Sequence, residues 1–325
     1  MAAAALRGRM GAQAPWLAAL ASCLLFAGAL QVAPHGPDPA ALQAALPVPR
    51  EELNETMRRR WELRNAADID RMKELCRSRP LDVLLLGDSI TERWHRPSFS
   101  AYVDSPLEYT TSEREELGGD LRAAFGPQRL VAVAAIGGDK VPDLLWRLRA
   151  GGLGEAVRQC APRSLHVLVG TNDLGHGVAP REAGMSYRQL VDELVALRPD
   201  ARLTLQLVMP RGFKGGYFDN DHLPHALKWA ACPAAGRPPQ LVHGVGEGDS
   251  DPSCSLFFSH VGELNGIITR AASEHSASGR DVRTLDCNGF LTTGGSISKD
   301  LFPDMLHPNG RGYARWSECL RSAYP

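Results

Sequence analysis

The chain has 325 residues, 44% of them hydrophobic, with 36 lysines and arginines against 37 aspartates and glutamates and a formal net charge of −1. That length and apolar content support one large domain or two small ones with a real core. The near balance of interspersed charges excludes the strong basic field used to recognise nucleic acid, and it points to a small-molecule or neutral-polymer substrate.

Residues 1–33 begin with a segment carrying Arg7 and Arg9, continue as an almost uncharged apolar run from about Ala14 to Ala33, and meet a breaker at Pro34. Basic, apolar, then small residues is the layout of a secretory signal peptide; an uncleaved type II membrane anchor and an organelle transit peptide are the alternatives the same segment fits. Cys23 lies within it, which leaves Cys76, Cys160, Cys232, Cys254, Cys287 and Cys319. An even number of cysteines fits a secreted or lumenal protein with disulfides, the alternative being reduced thiols in a cytosolic enzyme. Cys232 with Cys254 is the first pairing expected, because both fall in one insertion. Asn54-Glu55-Thr56 is a glycosylation acceptor that agrees with secretion.

Residues 34–50 are rich in Pro and Ala and read as a linker, so the folded domain is expected over 51–325. From Glu51 to Arg79, Met57, Trp61, Leu63, Ile69, Met72 and Leu75 recur at helical spacing. This predicts one amphipathic helix or two short ones on the surface, with Arg58-Arg59-Arg60 as a solvated face.

Five short apolar runs follow, at 82–86, 130–135, 164–169, 203–209 and 281–285, with helical patterns at 141–149, 181–197, 256–276 and 308–321. Continuous apolar strands alternating with helices predict a three-layer α/β/α, doubly wound, mostly parallel five-stranded sheet. Ligands of such sheets bind at the carboxyl ends of the strands. Two stretches break the rhythm, at about 97–120 and 211–254, and are expected to be insertions that select substrate.

The first strand ends in Gly87-Asp88-Ser89-Ile90-Thr91, which delivers a serine to a tight turn at a helix start. There its hydroxyl is exposed and its N–H favours developing negative charge. The second ends in Ile136-Gly137-Gly138-Asp139 and the third in Gly170-Thr171-Asn172-Asp173. Gly138 offers a backbone N–H and Asn172 a side-chain amide, which with the Ser89 N–H make a three-donor oxyanion hole. Asp88, Asp139, Asp173 and His176 adjoin these donors and are candidate substrate contacts. Asp219, Asp221, His222 and His225 lie inside the second insertion, where a solvated loop is favoured over substrate contact or a metal site. Near the C-terminus, Asp304-Met305-Leu306-His307-Pro308 sets a carboxylate three residues before a histidine, and Pro308 is expected at the first helical position. The aspartate can fix the imidazole tautomer while the imidazole takes the serine proton.

Gly87-Asp88-Ser89, Gly138, Gly170-Thr171-Asn172-Asp173 and Asp304-x-x-His307 resemble, in order, the four motif blocks of the SGNH, or GDSL-like, hydrolases. The longer pieces Ile136-Gly137-Gly138-Asp139, Leu145-Trp146-Arg147-Leu148 and Asp304 to Tyr313 are similar to the catalytic subunits of intracellular platelet-activating-factor acetylhydrolase. The resemblance implies a serine esterase with Ser89 as nucleophile, His307 as base, Asp304 as its orienter, Gly138 and Asn172 as oxyanion donors, and no metal or organic cofactor. It further implies a short acyl group such as acetyl, carried on a small-molecule, carbohydrate or lipid ester. An O-acyltransferase of the same fold and an inactive binding module are the competing readings. The resemblance does not carry the oligomeric state; a dimer is compatible with it.

Overall fold

A computed structural model describes residues 50, 53–97, 118–211, 256–293, 296–297 and 300–324. The apolar runs become strands β1 (Val83–Gly87), β2 (Val131–Ala135), β3 (Ser164–Leu168), β4 (Arg202–Gln206) and β5 (Val282–Leu285). They pair side by side in the order β2-β1-β3-β4-β5, and every pairing is parallel. A strand covered on both faces has no solvent side to mark with polar residues, which is why these runs are nearly continuous in apolar residues.

The helices are α1 (Glu55–Leu75), α2 (Ser89–Glu92), α3 (Leu121–Phe125), α4 (Val141–Arg149), α5 (Leu153–Cys160), α6 (Thr171–Gly175), α7 (Pro180–Leu197), α8 (Leu256–Ala277), α9 (Asn288–Leu291) and α10 (Gly310–Ala323). Successive strand residues point to opposite faces. Leu84 and Leu86 of β1 therefore join a core with Met72 of α1, Leu144 of α4, Ala156 of α5, Leu190 of α7 and Leu264 of α8. Val83 and Leu85 face the other way, onto Ile90 of α2, Phe125 of α3, Leu291 of α9 and Trp316 of α10. Three layers follow. A two-stranded antiparallel ribbon, β6 (Thr292–Thr293) with β7 (Ser296–Ile297), stands apart from the sheet.

Two expectations need correction. The helix expected on the surface, α1, buries Trp61, Arg64, Asn65, Asp68 and Met72 along one stripe. Those spacings are helical, but three of the five residues are polar, so hydrophobic periodicity alone does not find the stripe. Pro308 is not the first helical residue. Asn309 accepts a hydrogen bond from the Gly312 N–H at 3.0 Å and caps α10, which starts at Gly310, leaving Pro308 just outside.

Disulfides join Cys76 to Cys160 and Cys287 to Cys319, which ties the end of α1 to the end of α5 and the start of α9 to α10. Such bridges fit an extracellular or lumenal environment. Cys232, Cys254 and the histidine-containing cluster from Asp219 to His225 lie outside the described residues, as do residues 1–49 and most of both insertions. Among the described residues no helix is long and apolar enough to cross a membrane.

Candidate active site

The sheet order reverses around β1, which lies between β2 and β3, so the carboxyl ends of these three strands open onto one crevice. At the end of β1, a Cβ on Gly87 would collide with the Leu168 carbonyl and the Thr91 side chain, so only glycine lets the turn close. Asp88 then caps α2 by accepting the Ile90 N–H at 3.0 Å, and Ser89 opens that helix. The Tyr313 hydroxyl of α10 donates to the Ile90 carbonyl at 2.6 Å and fastens α2 from the other side.

The loop before α10 brings Asp304 and His307 to this point. Ser89 Oγ and His307 Nε2 are 2.9 Å apart, and His307 Nδ1 lies 2.7 Å from Asp304 Oδ2. The other carboxylate oxygen of Asp304 accepts the backbone N–H groups of Leu306 and His307 at 3.0 and 2.7 Å. Met305, at φ +60, makes the tight bend that this double acceptance needs. Burial opposes ionisation of Asp304, but its hydrogen bonds from His307 and Leu306 and its attraction to His307 outweigh that and hold the carboxyl well below the usual carboxylate range. For His307, burial is the largest influence and lowers its pKa. The hydrogen bond to Asp304 opposes this, the charge of Arg93 adds to it, and the net direction is down from 6.5.

At the end of β2, Ile136 to Asp139 form a turn closed by the Asp139 N–H donating to the Ile136 carbonyl at 3.1 Å. Gly138 sits at φ +81, a left-handed conformation that favours glycine. At the end of β3, Gly170 leads into α6, and the Asn172 Nδ2 donates to the Asp139 carbonyl at 2.9 Å. An amide nitrogen has two hydrogens, so this bond orients Asn172 while leaving it a second donor.

The candidate substrate contacts divide differently. Asp88, Asp139 and Asp173 are at most 2% exposed, and each is occupied with the protein itself. Asp139 accepts from the Trp61 Nε1 at 2.7 Å and from Arg147 at 2.9 Å. Asp173 caps α4 by accepting the Val141 N–H at 3.0 Å. These three aspartates hold the strand-end turns in place beneath the crevice. His176 ends α6 and is exposed. Burial pushes the carboxyls up, to about 8 for Asp88, about 7 for Asp173 and about 6 for Asp139. For Asp88 the Ile90 N–H opposes that rise, and the charges of Asp139 and Asp173 add to it.

Sequence reasoning missed a buried charged layer under the turn. Glu92 accepts the Gly137 N–H at 2.7 Å and the Arg96 Nε at 2.9 Å. Arg96 pairs with Asp68 at 2.7 Å, and Arg147 joins Asp68 at 3.0 Å to Asp139. Arg50, taken as the last linker residue, is only 6% exposed and donates to the Gly137 carbonyl at 2.8 Å. Arg211, at the mouth of the second insertion, donates to the Thr171 carbonyl at 2.6 Å and braces α6. The signal available in the sequence was the polar stripe Arg64-Asn65-Asp68 at core-facing positions of α1. Among the described residues no three His, Cys, Asp or Glu side chains converge as metal ligands.

The sequence profile of the GDSL-like lipase/acylhydrolase family matches residues 85–315. No curated protein matches the chain. Among solved structures, a Streptococcus pneumonia protein named for platelet activating factor superposes with a TM-score of 0.50 at 17% identity, covering 82% of this chain and 96% of its own. A Bacteroides fragilis protein named as an acylhydrolase gives 0.48 at 15% identity, over 78% of this chain and 94% of that one. An acetylxylan esterase from Geobacillus stearothermophilus gives 0.43 at 18%, over 74% and 93%. At these identities the likeness is one of fold.

Proposed function

The chain belongs to the GDSL-like lipase/acylhydrolase family of carboxylic ester hydrolases, and from that premise we propose that it cleaves short-chain acyl esters, acetyl esters above all, with Ser89 as nucleophile. The observation that carries this reading is the relay Ser89 Oγ to His307 Nε2 at 2.9 Å and His307 Nδ1 to Asp304 Oδ2 at 2.7 Å. His307 takes the serine proton as Oγ attacks the ester carbonyl, and Asp304 stabilises the resulting imidazolium. The oxyanion is held by the N–H groups of Ser89 and Gly138 and by the Asn172 amide. His307 returns its proton to the departing alcohol, and water activated by the same base releases the acyl group. The preference for acetyl rests on the similarity of the motif blocks to the acetylhydrolase subunits, and the substrate is a small-molecule, carbohydrate or lipid ester selected by the two insertions.

We further assign residues 1–33 to secretory targeting, with 34–49 as a linker ahead of the catalytic domain. Asn54 agrees with passage through the secretory pathway. It is exposed and caps α1 by accepting the Met57 N–H through Oδ1 at 3.0 Å, which leaves Nδ2, the atom that carries a glycan, outside the cap.

The test is fluorophosphonate labelling of the purified protein alongside hydrolysis of p-nitrophenyl acetate. Ser89→Ala is expected to abolish labelling and turnover together. Only neutral imidazole acts as base, and the pKa of His307 is displaced below 6.5, so kcat/KM should rise with pH and reach half its plateau below that value. A parent that neither labels nor hydrolyses acetyl esters would overturn the reading in favour of a binding module, and faster transfer to an added alcohol than to water would make the chain an acyltransferase.

A further inference from the structure

A turn with glycine at both central positions does not by itself decide which way its middle peptide faces. Flipping that peptide converts a type II turn into a type I turn, and glycine tolerates either form. In the Ile136–Asp139 turn the middle peptide comprises the Gly137 carbonyl and the Gly138 N–H. The value φ +81 at Gly138 marks the type II form. Something outside the turn must select it.

Both backbone polar groups of Gly137 are held by buried charged side chains. Its N–H donates to Glu92 Oε2 at 2.7 Å, and its carbonyl accepts from the Arg50 Nη1 at 2.8 Å. Glu92 is fully buried, and its helix begins at Ser89. The Arg50 guanidinium also packs beside Gly138, so that a Cβ there would meet Nη2 at 2.7 Å. A trans peptide is planar, with its carbonyl and N–H pointing in opposite directions. Holding the Gly137 oxygen on the Arg50 side therefore turns the Gly138 N–H to the other side.

We propose that Arg50 is a positioning residue for the oxyanion hole: by gripping the Gly137 carbonyl it selects the peptide orientation that offers the Gly138 N–H to the reacting centre, while Glu92 pins the far side of Gly137. This rests on the reading of Gly138 as an oxyanion donor. Arg50 stands outside residues 85–315, the span that carries the family motifs. The clamp is thus supplied by the segment leading into α1.

The test compares Arg50→Met and Arg50→Lys with the parent in two measurements: p-nitrophenyl acetate kinetics, and inhibition by a methyl trifluoromethyl ketone, which adds to a serine as a tetrahedral oxyanion. Arg50→Met is expected to lower kcat about 10-fold to 100-fold, a part of what losing a whole oxyanion donor costs. The ketone should bind more weakly by the same factor, with KM little changed. Arg50→Lys keeps a donor and should recover most of both. A merely structural role would lower the melting temperature without moving ketone affinity and kcat in step. If Arg50→Met fails to fold, Arg50→Ala, which has no donor, read against Arg50→Lys decides: a deficit in both measurements supports the clamp, and parity overturns it. A folded Arg50→Met with parental kcat and ketone affinity overturns the proposal alone. A parent that neither turns over ester nor binds the ketone removes the premise, and the proposal with it.

Discussion

The two sides of the crevice are built by opposite means. On the base side, Asp304 and His307 are three residues apart, and among the described residues the hydrogen bonds to their side chains, apart from the one with Ser89, are made between residues 304 and 307. On the oxyanion side, the turn from Ile136 to Asp139 is gripped by Arg50, Trp61, Glu92, Arg147 and Asn172, brought from five separate places in the chain. The first side is local, polar and partly open to solvent; the second is long-range, charged and closed. A local device can be replaced piece by piece, whereas a buried network answers as a unit.

That contrast can be broken by substitution. The largest effect is expected from Asp304→Asn, which keeps the shape of the loop but removes the charge that supports the imidazolium. Activity on p-nitrophenyl acetate should fall about 10⁴-fold, with a melting temperature close to the parent's. A large loss of stability would show that the base side is not the self-contained unit described. Arg147→Met should do the reverse, acting on stability. It leaves Asp68 and Asp139 as buried carboxylates without their shared partner, at a cost of about 3–5 kcal/mol in denaturant unfolding. Both carboxyls are pushed up to about 6, by burial above all. The deficit should therefore shrink as pH falls to about 6, where the parent's carboxyls protonate too, and level off below it, and a pH-independent deficit would point to lost packing instead.

Asn172→Ala acts on the oxyanion side twice, since it removes an oxyanion donor and the bond to the Asp139 carbonyl. Turnover should drop about 10²-fold to 10³-fold, and a change confined to KM would remove Asn172 from the oxyanion hole. Asp88→Asn is the smallest and sharpens the picture of the buried acids. A carboxyl raised from 3.8 to about 8 contributes stability that is fully present below 3.8 and is lost as pH rises through about 8. The melting temperature of the parent should decline between about pH 4 and 8 and level off above that, and the asparagine, which can still accept the Ile90 N–H, should flatten that decline by a few degrees. Equal slopes would show that Asp88 does not titrate there.

The same division explains what could be read from the residues alone. The five strands were legible as short continuous apolar runs, and α1, α4, α7, α8 and α10 by their helical spacing, whereas α3 and α5 were not read; Gly87-Asp88-Ser89 and Asp304-x-x-His307 were legible because each is contiguous. Arg50, Glu92 and Arg147 were not legible in their roles. An arginine in a helix reads as solvated unless something far away in sequence neutralises it, and here Asp68 lies 79 residues before Arg147. The boundary at Arg50 fails for the same reason, since composition marks where a linker stops being rich in Pro and Ala but not where a guanidinium finds a carbonyl 87 residues later.

The bridge from Cys287 to Cys319 closes a ring spanning 32 positions, and Asp304 and His307 are both inside it. Without that bond the segment carrying the base would still join β5 upstream and α10 downstream, with Leu291 and Phe302 in the core between them. With it, the two ends of the segment are also tied to each other, and the number of conformations open to it falls before any native contact forms. Oxidation is in this sense a step in arming the molecule. In a reduced chain the proton acceptor travels on a looser leash.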